Sequence, residues 1–340
     1  MTVHNGLALS VFSVMGSDMN RPSSNLPPMT ESRPGAAQAA HSGTSNAHGH
    51  DSVGAAMLLT LAGFASLSLG DAIIKSAAGM WPSTAVAALR FTLGALLLGG
   101  LLLARSGISG FAVPMAGYQL ARGFMLSLAT LAFFTSIFLM PLADATAILF
   151  INPALTALLS AWLLKERVAP YIWVASIIAF AGVIMILRPN VASLGWTAAL
   201  PLVAALAMSG VMMLNRKVAG SGSVLLMQFL LAAFCAPFLI LASLVAHYAE
   251  LEGFTLSLPP TWVLIVCTVV ACTASFSHML IYLGTMRASA AVVAPMVYVQ
   301  LLVALALGIS VYGNYPDLQA MVGAALIIVS GLYLWWRSKN

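Results

Sequence analysis

Charge is what this chain has least of. Asp, Glu, Lys and Arg make up 7% of its 340 residues, where a soluble domain carries about 25%. Hydrophobic residues make up 61%, and the mean hydropathy is +0.99. A soluble fold of this length cannot hide so much apolar surface, whereas a bilayer solvates it. Cysteine is scarce as well. Cys235, Cys267 and Cys272 fall inside apolar runs, with no CxxC or Cys/His metal spacing, and they read as small core hydrophobes. No GxxxxGK[ST] stretch occurs, so nothing points to a chain that powers itself with ATP, and no HExxH helix marks a zinc hydrolase. The net charge of +5 is not spread as a nucleic-acid surface. Its bases lie between apolar runs, where they report topology.

Residues 1–52 differ from the rest. They are rich in Ser, Pro, Asn, Gly and His, and that composition predicts a disordered, cytoplasmic tail. Gly6 to Met15 is mildly apolar but short and lacks a basic flank, so no cleaved signal peptide is expected. His48, His50 and Asp51 could bind a metal, but three ligands on a flexible tail do not make a site, and a solvated linker is the better reading.

Beyond the tail, apolar runs dominate. A helix crossing about 30 Å of hydrocarbon needs about 20 apolar residues. Ten stretches qualify, near 54–74, 83–104, 118–138, 143–163, 170–188, 195–214, 223–246, 260–284, 289–312 and 317–336. Turn residues separate them, among them Pro82, Pro114, Pro141, Pro170, Pro189, Pro259 and Pro316. All seven tryptophans (Trp81, Trp162, Trp173, Trp196, Trp262, Trp335 and Trp336) lie near span ends, as an aromatic belt requires. With the amino terminus inside, Arg105, Lys165, Arg167, Arg216, Lys217, Arg287, Arg337 and Lys339 face the cytoplasm, and only Lys75 and Arg188 fall outside. That bias predicts two cytoplasmic termini.

The central part of the chain repeats at an offset of 148 residues: Asn152 falls on Gln300, Phe150 on Tyr298 and Phe134 on Tyr282. Near the start of each half the offset is 141, which puts Gly79 on Gly220 and Lys75 on Arg216. Residues 53–189 and 190–340 then form two five-helix repeats. An odd number of spans per repeat forces the second to insert upside down, the inverted repeat of secondary transporters. The fold class expected is therefore an all-α membrane protein of ten transmembrane helices in two inverted five-helix repeats.

The stretch Phe134–Val168 carries Pro141-Leu142-Ala143-Asp144-Ala145-Thr146-Ala147, then Asn152-Pro153, then Leu164-Lys165-Glu166. Its second-half version runs from Tyr282 to Pro316, with Tyr298 and Gln300 in place. Through these residues the chain resembles the EamA family of the drug/metabolite transporter superfamily, over roughly residues 53–337. The resemblance implies a ten-helix transporter of the inner membrane. Gly313-Asn314 stands where that family usually has Gly-Glu before the proline. Gly70-Asp71-Ala72-Ile73-Ile74-Lys75 and Arg90 resemble a branch that contains S-adenosylmethionine and riboflavin carriers.

Polar groups inside hydrocarbon are costly and need a reason. Asp71 and Lys75 stand four apart, acid first, the favourable order for an intrahelical pair. With Arg90 they form either a charge-reading gate or a structural lock between the first two helices. Asn152 and Gln300 fall near the middle of the fourth and ninth spans, related by the repeat, and suit a polar or zwitterionic solute at the midplane. An interhelical hydrogen bond is the alternative. Ser275, His278 and Tyr282 share one face of the eighth span. His278 takes a proton during transport or packs as a neutral imidazole, and Tyr282 and Tyr298 stack on a planar substrate or pack in the core. Glu166, between Lys165 and Arg167, reads as an ion-pair anchor.

These features predict a secondary carrier of a small organic metabolite, such as a nucleoside- or vitamin-like compound, an amino acid or a drug, working by alternating access. The partners expected are that solute, the lipid bilayer and, through His278, a coupling proton. No cofactor, metal or nucleic acid is expected. A membrane-embedded enzyme or a channel or receptor on the same scaffold is the alternative. The first lacks a catalytic constellation and the second lacks charged rings.

Overall fold

The computed structural model describes residues 44–77, 79–139, 142–189, 195–312 and 315–339. Regular structure in these residues is helical throughout. The first half comprises α1 (Thr44–Lys75), α2 (Ser83–Ser106), α3 (Ala116–Leu139), α4 (Leu142–Leu149), α5 (Asn152–Leu163) and α6 (Pro170–Leu187). The second comprises α7 (Ala199–Lys217), α8 (Val224–Tyr248), α9 (Thr261–Arg287), α10 (Ala290–Val293), α11 (Val299–Tyr312) and α12 (Leu318–Lys339), with a 3-10 turn, Ala294–Tyr298, between α10 and α11. Among the described residues nine segments are long and apolar enough to cross a bilayer. Helix α3, 24 residues long, completes the ten-helix bundle.

The first helix begins at Thr44, ahead of the boundary at 52 that composition suggests. Residues 1–43 lie outside the described residues, as do the side chains of His48, His50 and Asp51. Proline sets several starts: Pro82 precedes α2, Pro260 precedes α9, and Pro170 opens α6. It fits there because a first-turn residue has no use for an N–H. Gly79 and Gly220, one repeat apart, both take φ +78, a left-handed turn that glycine adopts without a Cβ penalty. The same turn therefore follows the first helix of each half.

Two expected spans are broken. The run 143–163 is α4 and α5, interrupted at Phe150 and Ile151, and the run 289–312 is α10, a 3-10 turn and α11. Pro153 and Pro295, each near the start of the second piece, remove backbone donors and stop a continuous α ladder. The interruptions fall at repeat-related positions.

Helix pairings exchange between halves in the same way. Helix α2 packs on its mate α8, and α6 on its mate α12, while α3 with α8 mirrors α2 with α9. Contact faces carry small residues, such as Ala175, Ala179, Ala204 and Ala205, which let helix backbones approach within a membrane. At Gly182 a Cβ would stand 2.5 Å from the Gly323 carbonyl oxygen, so α6 and α12 cross backbone to backbone. Ser330 Oγ donates to the Ala175 carbonyl at 2.7 Å beside that crossing. Leu58, Leu96, Ile177, Leu241 and Leu332 point outward and exposed, where lipid solvates them. Cys235 and Cys267 are buried as core hydrophobes, and Cys272 faces outward.

Candidate functional site

Ser209 on α7 anchors the first broken span. Its hydroxyl donates to the Asn152 carbonyl at 3.2 Å, and Asn152 Nδ2 donates back to Ser209 Oγ and to the Ala205 carbonyl, each at 3.0 Å. The repeat mate of Ser209 is Ser68, and its hydroxyl donates to the Gln300 carbonyl at 3.1 Å. One serine on the first helix of each half thus holds the backbone of the broken span in the other half. The amide of Asn152 is committed to protein partners and only 4% exposed. The Gln300 side chain is half-buried and offers its amide to no other described residue.

Tyr298 and Tyr282 are also committed. Tyr298 OH donates to the Phe150 carbonyl at 3.2 Å and lies edge to face with that ring. Tyr282 OH donates to the Val218 carbonyl at 3.3 Å. Above the Tyr282 ring, at 5.4 Å, sits the guanidinium of Arg122. Arg122 is fully buried and donates to Gln119 Oε1 at 2.8 Å, while its Nε and second terminal nitrogen have no partner. Gln119 in turn donates to Met227 Sδ at 3.1 Å.

Ser275 and His278 do come together, with Arg90, in a narrow recess between α2, α8 and α9. Gln228, Phe91 and Leu231 complete its wall. About 20 Å³ is free inside it, room for about one water. Gln228 is 3% exposed, and its Nε2 is without a partner, as is the buried Nε of Arg90. Arg90 also lies over the Phe91 ring at 4.8 Å. Asp71 on α1 interacts electrostatically with Arg90, but among the described residues the direct ion pairs are Arg188–Asp317 and Arg216–Glu166. The Lys75 side chain lies outside the described residues, so its pairing with Asp71 is not placed.

At one end of the bundle Glu166 is an ion-pair anchor, as its flanking bases suggest. Its Oε1 is 3.6 Å from Arg216 Nε, and its Oε2 accepts from Ser160 at 3.1 Å. Arg216 donates further to the Thr285 and Met286 carbonyls at 3.1 and 3.2 Å. The clasp joins the ends of α5, α7 and α9. Sequence pattern alone does not single out Gln228, Gln119 or Arg122 as site residues. Their only signal is a polar side chain in an apolar run, and for Arg122 a position near a span end hides its full burial. No group of three His, Cys, Asp or Glu side chains able to hold a metal exists among the described residues.

An all-helical membrane bundle, with broken spans at repeat-related positions and a polar recess inside, belongs to the class of multi-pass helical transporters. Over residues 54–188 the chain matches the model of the EamA-like transporter family. It is similar to the S-adenosylmethionine uptake transporter of Rickettsia prowazekii, 22% identical over 219 residues, 64% of this chain and 71% of that protein. It is similar to the riboflavin transporter of Rhizobium johnstonii, 25% identical over 232 residues, 68% of this chain and 74% of that protein. A shorter match of 32% identity links it to the pseudopaline exporter CntI of Pseudomonas aeruginosa, over 39% of this chain and 46% of that protein. A solved crystal structure superposes with a TM-score of 0.67 at 19% identity, covering 83% of this chain and 96% of that one. That likeness speaks for the fold alone.

Proposed function

We propose that the chain is a secondary carrier that moves a small polar metabolite across the inner membrane by alternating access. The observation that carries this reading is the recess of Arg90, Gln228, Ser275 and His278 inside an otherwise apolar bundle. Such groups are expensive in hydrocarbon and are retained where a solute passes. The symmetric serine anchors on the two broken spans support a motion in which the halves, 53–189 and 190–340, exchange roles about the site. The similar proteins named for S-adenosylmethionine and riboflavin make those two compounds the first candidates. Asp71, Lys75 and Arg90 are proposed as the gate and His278 as the proton acceptor of coupled transport. Gln300 is the member of the Asn152–Gln300 pair kept as a substrate contact.

Purified protein in liposomes tests the reading. A carrier gives saturable uptake of labelled S-adenosylmethionine or riboflavin, accelerated by the same compound preloaded inside. Non-saturating flux without that acceleration marks a channel and sinks the proposal. The distribution of basic loop residues supports two cytoplasmic termini. A reporter active only outside, fused at the carboxyl end, is expected to be silent.

A further inference from the structure

The recess between α2, α8 and α9 has an imbalance of hydrogen-bonding groups. Its unpartnered buried atoms, Arg90 Nε and Gln228 Nε2, are both donors. The remaining polar wall groups, Ser275 and His278, donate or accept as needed. A buried donor without an acceptor costs free energy comparable to a lost hydrogen bond, more when the donor is charged. A native fold tolerates it where a ligand supplies the acceptor.

Charge tells the same story. His278 lies in the fields of two guanidiniums, those of Arg90 and Arg122. Arg122 is fully buried, with two of its nitrogens unpartnered. The carboxylate that interacts with Arg90 is Asp71, and the two do not form a direct pair. Among the described side chains around the recess, two guanidiniums stand against one carboxylate, and unpaired charge in such surroundings is costly.

Taken with the carrier reading, on which this inference rests, the geometry points to a carboxylate-bearing solute as the substrate, its carboxylate received by Arg90 and Gln228. Both donors enter the recess from packed helices, α2 and α8, so they are held in place before the ligand arrives. The free space of about 20 Å³ admits little more than the carboxylate itself, so the carbon skeleton enters beside Phe91 and Leu231 only as α2, α8 and α9 part during transport. The smaller, planar carboxylate suits so narrow a recess better than a phosphate does.

The test uses the full chain, solubilised, in a thermal-shift comparison of matched probes. Each carboxylate metabolite, including S-adenosylmethionine and free amino acids, is paired with its decarboxylated or amidated counterpart. Nucleoside monophosphates and inorganic phosphate form a separate arm. Stabilisation by one or more carboxylates and not by their counterparts is expected. Arg90→Gln and Gln228→Glu are expected to weaken the effective probe at least about tenfold. Gln228→Glu keeps size and shape and puts a negative charge where the amide donor stood, so it remains informative if Arg90→Gln folds poorly. Arg90→Lys is expected to retain part of the affinity. Equal stabilisation by both members of a pair, stabilisation by phosphates alone, or no response to any carboxylate overturns the assignment. Liposome flux separates the two claims. A saturable substrate without a carboxylate removes this site assignment and leaves the carrier, and carboxylate binding without flux does the reverse.

Discussion

The hydroxyl of Tyr298 donates to the carbonyl oxygen of Phe150, 148 positions earlier, at 3.2 Å, and their rings meet with centroids 5.8 Å apart. That separation equals the repeat offset in the central part of the chain, so residues occupying the same place in each half touch one another. Equivalent positions can meet only beside the axis that relates them. The axis therefore passes between the two interruptions of the broken spans.

Tyr298→Phe keeps the ring contact and removes one hydrogen bond. A loss of about 0.6–1 kcal/mol is expected, read as a small fall in melting temperature with substrate affinity unchanged. A change in affinity with normal stability would put Tyr298 back among the substrate contacts.

Gly182→Ala should be far more damaging. The new Cβ meets the Gly323 carbonyl, with Ile327 and Leu326 close behind it, and backbone on a packed helix has little room to give. A steep drop in folded protein on size-exclusion chromatography is expected. Gly331→Ala, where nothing lies within 4 Å of the added atom, is expected to leave the level unchanged.

Asn152→Ala removes the two bonds its amide donates, to Ser209 Oγ and to the Ala205 carbonyl, while Ser209 keeps its own donation to Ala205. The expected cost is about 1–3 kcal/mol of stability, with the half-saturation concentration of the folded fraction unaltered. Gln300→Ala is expected to show the opposite pattern, normal stability and weaker uptake. Measuring uptake and protein level for both variants separates the two roles.

The Arg188–Asp317 contact is pH-sensitive. The Ala320 N–H and the Arg188 side chain hold the Asp317 carboxyl below its ordinary value of 3.8. A depressed folded-state value means the contribution is present above pH 3.8 and fades as pH falls through the lower folded value. Wild type and Asp317→Asn should therefore differ in melting temperature at neutral pH and converge in acid. Because the pair is exposed, the neutral difference should be small and shrink with salt.

Much of the architecture is legible in the sequence because membranes impose simple rules. The starts expected at 83 and 170 agree with Ser83 and Pro170, where proline marks the edge of an apolar run. The breaks in the fourth and ninth spans are hidden, since apolar composition does not change across them. Asn152-Pro153 and Ala294-Pro295 were the available signs. In the site, Arg90, Ser275 and His278 stand out as polar groups in hydrocarbon, and they do meet. Tyr282 and Asn152 stand out equally but turn inward to backbone carbonyls. Spacing along one helix does not reveal what the neighbouring helix offers. Gln228 escapes notice because its importance lies in a missing partner, which no single helix can show.

The clasp at Arg216 bears on how evenly the molecule can rock. Its repeat mate is Lys75, and the mate of Glu166 is Asn314, a residue with no charge to contribute. One end of the bundle thus has an electrostatic latch whose counterpart cannot be assembled at the other. Two shapes that symmetry alone would make equal in energy are made unequal by that difference. The Glu166–Arg216 contact favours the shape in which that end stays closed, like a balance with a weight left on one pan, and any motion that opens it has to break the pair.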